Sequence, residues 1–598
     1  MRVNFRIRNA LSPSMLGSMV LLLLITSLGL MDAALKYVDA FFSSDFPSAT
    51  TFFAPSDVSV VTYHNDNFRS GQNLSETLLN TSNVNAQHFG KRVSYPVDGQ
   101  VYTQPLFVPH VRIKGHYYDI VFVATENDSV YAFDADQTQT VAPLWKTSFL
   151  HLPDVTTVPS SDVFKKYPNH DIEPTIGITA TPVIDPVTNT LYVVAMTKEH
   201  GDQYVQRLHA LDITTGKDRP GSPVTIFAQI QGNGYDKSAG RSSLITFNTK
   251  QANQRSALLL VNGVVYIAWA GFGDTDPYHG WVLGYSYNGS AFRRVAVYNT
   301  TPDGQEGGVW MSGAGPAVDA QGNIYLTVGN GTFDLAQAGQ RDAGDSFVKL
   351  STQNDLALTD YFTPFNQQCL DGRDADLGSG GVLLLPDQPG TAHPRLLIGV
   401  GKEGRIYVLD RENMGQYHSY PGASLRCGST DETRTDIDQV VQELPASTTG
   451  GFFGIPGYWA GTAASGQLVY IGETDDHLKS FQLSGDKLSS KPTARTPEAF
   501  GYPGAIPSIS SNGSVPDSGI VWAISPANCG GPGCTPVGPG VLRAYDAANI
   551  GRELYNSEQD ATRDQLDSYV KFSVPTIADG KVFVGTQTSL TIYGLLAA

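Results

Sequence analysis

Carboxylates, one tryptophan, one lysine and four cysteines are where this chain concentrates residues able to do chemistry. Aspartates pair in Asp274-Thr275-Asp276 and in Asp374-Ala375-Asp376, and another stands at Asp334. Trp310 and Lys402 lie in the same part of the chain. Further upstream, His170-Asp171-Ile172-Glu173-Pro174-Thr175 gathers polar groups just before a β-rich run, which makes Glu173 a candidate ligand or acid/base. The cysteines are Cys369, Cys427, Cys529 and Cys534. They show no Cys-x-x-Cys spacing, which excludes a thiolate metal site of that type. An even number behind an export-type N-terminus predicts two disulfides. Cys529-Gly-Gly-Pro-Gly-Cys534 reads as a small closed loop, which leaves Cys369 to pair with Cys427.

Residues that do chemistry together need a frame, and the frame is a repeat. Val121-Phe122-Val123-Ala124 is answered after a short turn by Val130-Tyr131-Ala132-Phe133-Asp134, and Leu396-Leu397-Ile398-Gly399 by Ile406-Tyr407-Val408-Leu409-Asp410. Eight such apolar pairs run along the chain, ending with Val582-Phe583-Val584-Gly585 and Leu590-Thr591-Ile592-Tyr593. Short β-rich runs joined by Gly, Asn and Asp are hairpin signals. Their recurrence predicts an all-β, eight-bladed β-propeller of four-stranded antiparallel blades, a seven-bladed ring being the alternative. A lone β-rich segment at 89–97, ahead of the first pair, is expected to close the ring beside 574–595 and leave no free edge. Segments 424–444 and 530–540 read as insertions.

Arg2, Arg6 and Arg8 precede an apolar run over 15–31. Residues 1–31 therefore read as a signal peptide or N-terminal anchor, 32–60 as a linker, and 61–598 as a single propeller domain. The location implied is extracytoplasmic, periplasmic or secreted, with any membrane contact made through the N-terminal segment alone. A net charge of −17 argues against nucleic acid as a partner.

The segment Gly401-Lys402-Glu403-Gly404-Arg405-Ile406-Tyr407-Val408-Leu409-Asp410-Arg411 resembles one in quinoprotein alcohol dehydrogenases, the pyrroloquinoline-quinone (PQQ) enzymes. There a basic residue and Gly precede a Tyr-x-Leu-Asp-Arg strand. The resemblance implies that Lys402 contacts PQQ. Gly307-Gly308-Val309-Trp310 resembles the family segment whose Trp forms the floor under the cofactor, and a flat quinone stacks well on indole. Gly329-Asn330-Gly331-Thr332-Phe333-Asp334 resembles a Gly-Asn-Pro loop taken to end in a calcium ligand, with Asp334 the nearest match. Asp274-Thr275-Asp276-Pro277-Tyr278-His279-Gly280-Trp281-Val282 resembles the stretch where a Glu ligand precedes Arg-Gly-Trp-Val, which implies that Asp274 or Asp276 binds the metal. Asp374-Ala375-Asp376-Leu377-Gly378 lies where the family has its catalytic Asp, and Asp376 takes that role, as general base. The family's adjacent Cys-Cys pair and a haem-binding Cys-x-x-Cys-His are both absent.

Three functions follow as expectations. One is a dehydrogenase that oxidises a small-molecule alcohol or sugar with PQQ and calcium. Another is a non-catalytic propeller scaffold for an envelope protein. The third is a carbohydrate-binding or hydrolytic propeller.

Overall fold

All eight predicted pairs form the centres of antiparallel blades in the computed structural model, which describes residues 58–597 apart from 152, 165–170, 235–242, 423, 446–449 and 528–537. The first blade shows the pattern: Leu106–Ile113, His116–Thr125, Ser129–Asp134 and Trp145–Ser148 pair in chain order. The inner strands of the eight blades are Leu106–Ile113, Val183–Asp185, Leu259–Val261, Ala317–Val318, Val382–Leu384, Gly457–Trp459, Ser508–Ser510 and Thr576–Ala578. Blades stack face against face, so a central strand meets apolar neighbours on both sides. Leu396–Val400 is accordingly buried at every position and reads as a continuous apolar run rather than an alternation.

The eighth blade is completed from the other end of the chain. Phe89–Pro96 lies antiparallel to Ser589–Leu595, with Phe89 opposite Leu595 and Tyr95 opposite Leu590. The ring thus has eight blades rather than seven and closes as expected. Phe89 is fully buried and packs its ring against Tyr555, Trp522 and Tyr593 at 5.0–6.3 Å.

An unanticipated feature precedes that strand. Residues 60–73 run inside the ring and hydrogen-bond to the inner edge of every blade. Val60 exchanges two 2.8 Å bonds with Phe107. The N–H groups of Ile184, Val318, Leu384, Tyr458 and Ile509 donate to the carbonyls of Val61, Asn67, Phe68, Ser70 and Gly71 at 2.7–2.9 Å. Asn67 Nδ2 donates to the Leu260 carbonyl at 3.2 Å, and Asn73 Nδ2 to that of Ile577 at 3.1 Å. The fully buried Arg69 guanidinium donates to the carbonyls of Tyr63 and Pro316. This axial segment satisfies backbone groups that a bare central channel would leave to water.

Cys369 and Cys427 form a disulfide, as predicted, with Cα atoms 5.4 Å apart. Cys529 and Cys534 lie outside the described residues, as does the apolar N-terminal run. Among the described residues, no helix is long and apolar enough to cross a membrane.

Candidate functional site

The turn that leads into each inner strand brings side chains towards the axis at one end of the ring. Tyr102, Arg255, Phe453 and Phe572 each stand four residues ahead of an inner strand. Trp310 and Asp376 occupy similar turns before the fourth and fifth blades. These groups, with Asp274 and Lys402, line a cavity of about 710 Å³ that opens to solvent.

Blades three to five supply one side of it. Lys402, in the turn between Leu396–Val400 and Ile406–Asp410, places Nζ 2.5 Å from Asp376 Oδ2 and 2.8 Å from Asp374 Oδ1. Asp376 Oδ1 accepts from the Asn330 N–H at 2.8 Å, and the next N–H after Asp376, that of Leu377, donates to buried Asp345 at 3.1 Å. Asn330 Nδ2 donates to Asp374 at 3.1 Å, while its Oδ1 is buried without a hydrogen-bond partner among the described residues. Asp274 closes the short turn after Val264–Gly271 and accepts from the Tyr278 hydroxyl at 3.2 Å. Gly329 lies between the carboxylate and the indole. A Cβ there would stand 2.5 Å from Asp376 Oδ1 and 2.9 Å from Trp310 Cδ1, so the absence of a side chain lets the two approach.

The electrostatics follow from three carboxylates sharing one lysine. Burial, then the charges of Asp376 and Asp374, push the Asp274 carboxyl up to about 6 against the pull of Lys402. Burial favours a neutral Lys402, but Asp376 and Asp374 outweigh it and hold the ammonium above its usual range. Burial also raises Asp374, with Lys402 opposing.

This donor set suits a hard cation. Asp274 and Asp376 bring carboxylate oxygens and Asn330 a buried, unpartnered amide oxygen, the ligand types calcium takes. A cation would also offset the surplus negative charge. The indole of Trp310, its N–H without a partner among the described residues, offers a face for a flat ring.

Four of the predicted residues, Asp274, Trp310, Asp376 and Lys402, therefore line one pocket, although they come from three different blades. Three others do not line it. Asp334 is held in a hairpin, where its N–H donates to the Asp342 carbonyl and its carboxylate accepts from the Asp342 N–H. Its loop sends Asn330, not Asp334, to Asp376. Asp276 is exposed beside Pro277 and lies against Glu306, whose carboxyl burial and Asp276 push up to about 7. Glu173 is exposed, and its neighbours Asp171 and Ile172 face the cavity instead. The sequence reading missed Asn330, Arg255, Tyr502, Lys571 and Phe572. The signal available for most of them was their phase in the repeat, a few residues ahead of each inner strand.

No family model and no curated protein matches the sequence. Solved structures do match in fold. A quinohemoprotein alcohol dehydrogenase from Comamonas testosteroni superposes with a TM-score of 0.51 at 14% identity, over 90% of this chain and 80% of that one. A europium-containing methanol dehydrogenase gives 0.53 at 14% identity, over 90% and 98%. The quinohemoprotein alcohol dehydrogenase ADHIIG from Pseudomonas putida HK5 gives 0.51, also at 14% identity, over 91% and 81%. At such identity the likeness is one of fold, the eight-bladed propeller of quinoprotein dehydrogenases.

Proposed function

We propose that this chain is a quinoprotein dehydrogenase acting outside the cytoplasm on the hydroxyl of an alcohol or sugar, with PQQ and a cation such as calcium in the axial pocket. The observation that carries this reading is the meeting of Asp274, Trp310, Asp376 and Lys402 at one end of the propeller. A bound ortho-quinone supplies the two-electron acceptor for the hydride equivalent of the carbinol carbon. Trp310 would support the ring, Lys402 would stand beside its oxygens, and Asp274, Asp376 and the Asn330 amide would hold the cation.

Asp376 takes the hydroxyl proton. Its Oδ1 is fixed by the Asn330 N–H and its Oδ2 by Lys402, and the lone pair that the cation would leave free is available to the substrate. Loss of the O–H proton to Asp376 and of the carbinol hydride to the acceptor leaves a carbonyl product, which balances the oxidation. The absence of an adjacent Cys-Cys pair favours a second reading, a propeller that binds an envelope protein without catalysis.

Reconstitution separates the two. The purified chain is incubated with PQQ and Ca²⁺, then followed by absorbance, thermal melting and a dye-linked assay over alcohols and sugars. The expected result is a cofactor spectrum, a melting temperature raised by Ca²⁺ and lowered by EDTA, and turnover lost in Asp376→Asn. A melting temperature indifferent to both ligands, with no cofactor retained, leaves the scaffold reading.

A further inference from the structure

The seam where the ring closes carries another group of acids. Asp119 lies in the strand His116–Thr125 and Asp136 just beyond Ser129–Asp134, both in the first blade. Asp579 directly follows Thr576–Ala578, the inner strand of the eighth blade, in the turn to Lys581–Gly585. The pocket receives the turns that lead into the inner strands. Asp579 leaves one, so this group lies at the other end of the ring. One carboxylate oxygen from each of Asp119, Asp136 and Asp579 lies within 4.8 Å of the other two. Calcium holds its oxygens at about 2.3–2.6 Å, so two that face each other across the ion stand about 5 Å apart. Three oxygens this close can therefore share one ion.

The protein answers these acids incompletely. Asp119 is 9% exposed and Asp579 7%, while Asp136 lies at the surface. Lys581 Nζ stands 2.8 Å from Asp579 Oδ2, 2.9 Å from Asp136 Oδ1 and 3.2 Å from the Asp579 carbonyl. Among the described residues, the one other basic group within ion-pair distance is His110, its Nδ1 3.9 Å from Asp119. One lysine thus faces three carboxylates. Asp579 Oδ1 is buried and has no hydrogen-bond partner among the described residues, and a buried acceptor left unmatched is costly. Burial pushes the Asp119 carboxyl up; the His110 N–H pulls it back, and the charges of Asp136 and Asp579 add to the rise. Burial disfavours the Lys581 ammonium, but Asp136 and Asp579 outweigh it and hold it above its usual range. The site draws positive charge more strongly than a single ammonium satisfies.

We propose that Asp119, Asp136 and Asp579 form a site for a hard divalent cation, calcium by its ligand chemistry, which displaces the Lys581 ammonium and ties the eighth blade to the first. The three carboxylates supply oxygens, the Asp579 carbonyl adds another once Lys581 withdraws, and water completes the shell. Lys581 is 17% exposed, so its long side chain has a path to solvent. The site stands apart from the axial pocket and does not rest on the dehydrogenase reading.

The test uses the full chain carrying Asp274→Asn and Asp376→Asn, so that an ion counted by equilibrium dialysis is held away from the axial pocket. This background should bind one Ca²⁺ with a Kd of about 0.1–1 mM, the range of extracellular calcium modules, and melt at a higher temperature as Ca²⁺ is added. Asp136→Asn, a surface change, should weaken binding at least about tenfold with the fold intact in EDTA. Lys581→Met removes the competing ammonium. It should melt lower than the background in EDTA, bind Ca²⁺ at least about tenfold more tightly, and regain its melting temperature when the ion is added. A site that is only an ion pair gives the opposite pattern: Lys581→Met loses stability and Ca²⁺ restores none of it. That result overturns the proposal, as does Ca²⁺ binding that is unchanged in folded Asp136→Asn or absent from both the background and its Lys581→Met form.

Discussion

Asp274 and Gly329 show how single residues set the character of the pocket. The Asp274 carboxyl titrates near 6 in the folded protein against 3.8 ordinarily, so between those values the folded chain holds a proton that the unfolded chain has released. Stability therefore falls as pH rises through that window, by about 3 kcal/mol at most. Asp274→Asn removes the loss. In EDTA the variant should melt above the parent at neutral pH and together with it below about pH 4; a melting series across pH checks both the sign and the window. Added Ca²⁺ should reverse the order, because the parent gains stability by binding the ion in its native state and the variant has lost a ligand. Gly329 acts through space instead. Its place between Asp376 and Trp310 leaves no room for a methyl group, so Gly329→Ala should cost about 1–3 kcal/mol and shift the tryptophan emission. Urea titration followed by fluorescence measures both.

The loop that presents Asp376 is anchored as an element. Its short helix Gln367–Asp371 carries Cys369, bonded to Cys427 in the insertion at 424–444, and Arg373 pairs with Glu432 of that insertion at 2.5 Å. The bridge spans 58 residues, and closing a loop of that size in the unfolded chain corresponds to about 4 kcal/mol in the chain-entropy model. Paired Cys369→Ser and Cys427→Ser replacements should lower the guanidinium midpoint accordingly, and reductant should lower the parent's midpoint by more than the variant's. The insertion was legible in sequence because its polar run follows the fifth blade's apolar pair and delays the next one. The hairpins were legible for the complementary reason, apolar runs broken by turn residues. Trp310, Asp376 and Lys402 could be picked out because each sits in a recognisable local segment. Arg255 and Lys571 could not, since a single cation in a turn has no pattern until the ring places it. Asp334 is the nearest match in position to the ligand that ends the resembling loop, whereas Asn330 stands near the loop's start. The hairpin between Asp334 and Asp342 decides otherwise, and it depends on pairing that local composition does not reveal.

At the scale of the whole molecule the ring is held by its closure. Phe89→Ala would empty a site bounded by Tyr555, Trp522 and Tyr593 and should cost about 3–5 kcal/mol, with the eighth blade losing hydrogen-exchange protection before the others. The closing strand was foreseeable because it stands alone ahead of the first hairpin. The axial segment was not. Residues 60–73 have no regular alternation, and what fixes them is hydrogen bonding to eight blades made later in the chain, through the backbone to six and through the Asn67 and Asn73 amides to two. That order has a kinetic consequence. Phe89 and Leu595 are roughly 500 residues apart, so at typical synthesis rates the closing strand is made about 25–100 s before its partner exists. The axial segment spends a comparable time with its polar backbone unmatched. A chain interrupted at any of the first seven blades is left with an open edge and an unfinished centre. The nascent protein is thus most exposed to aggregation near the end of its synthesis, when most blades are present and none can yet close the circle.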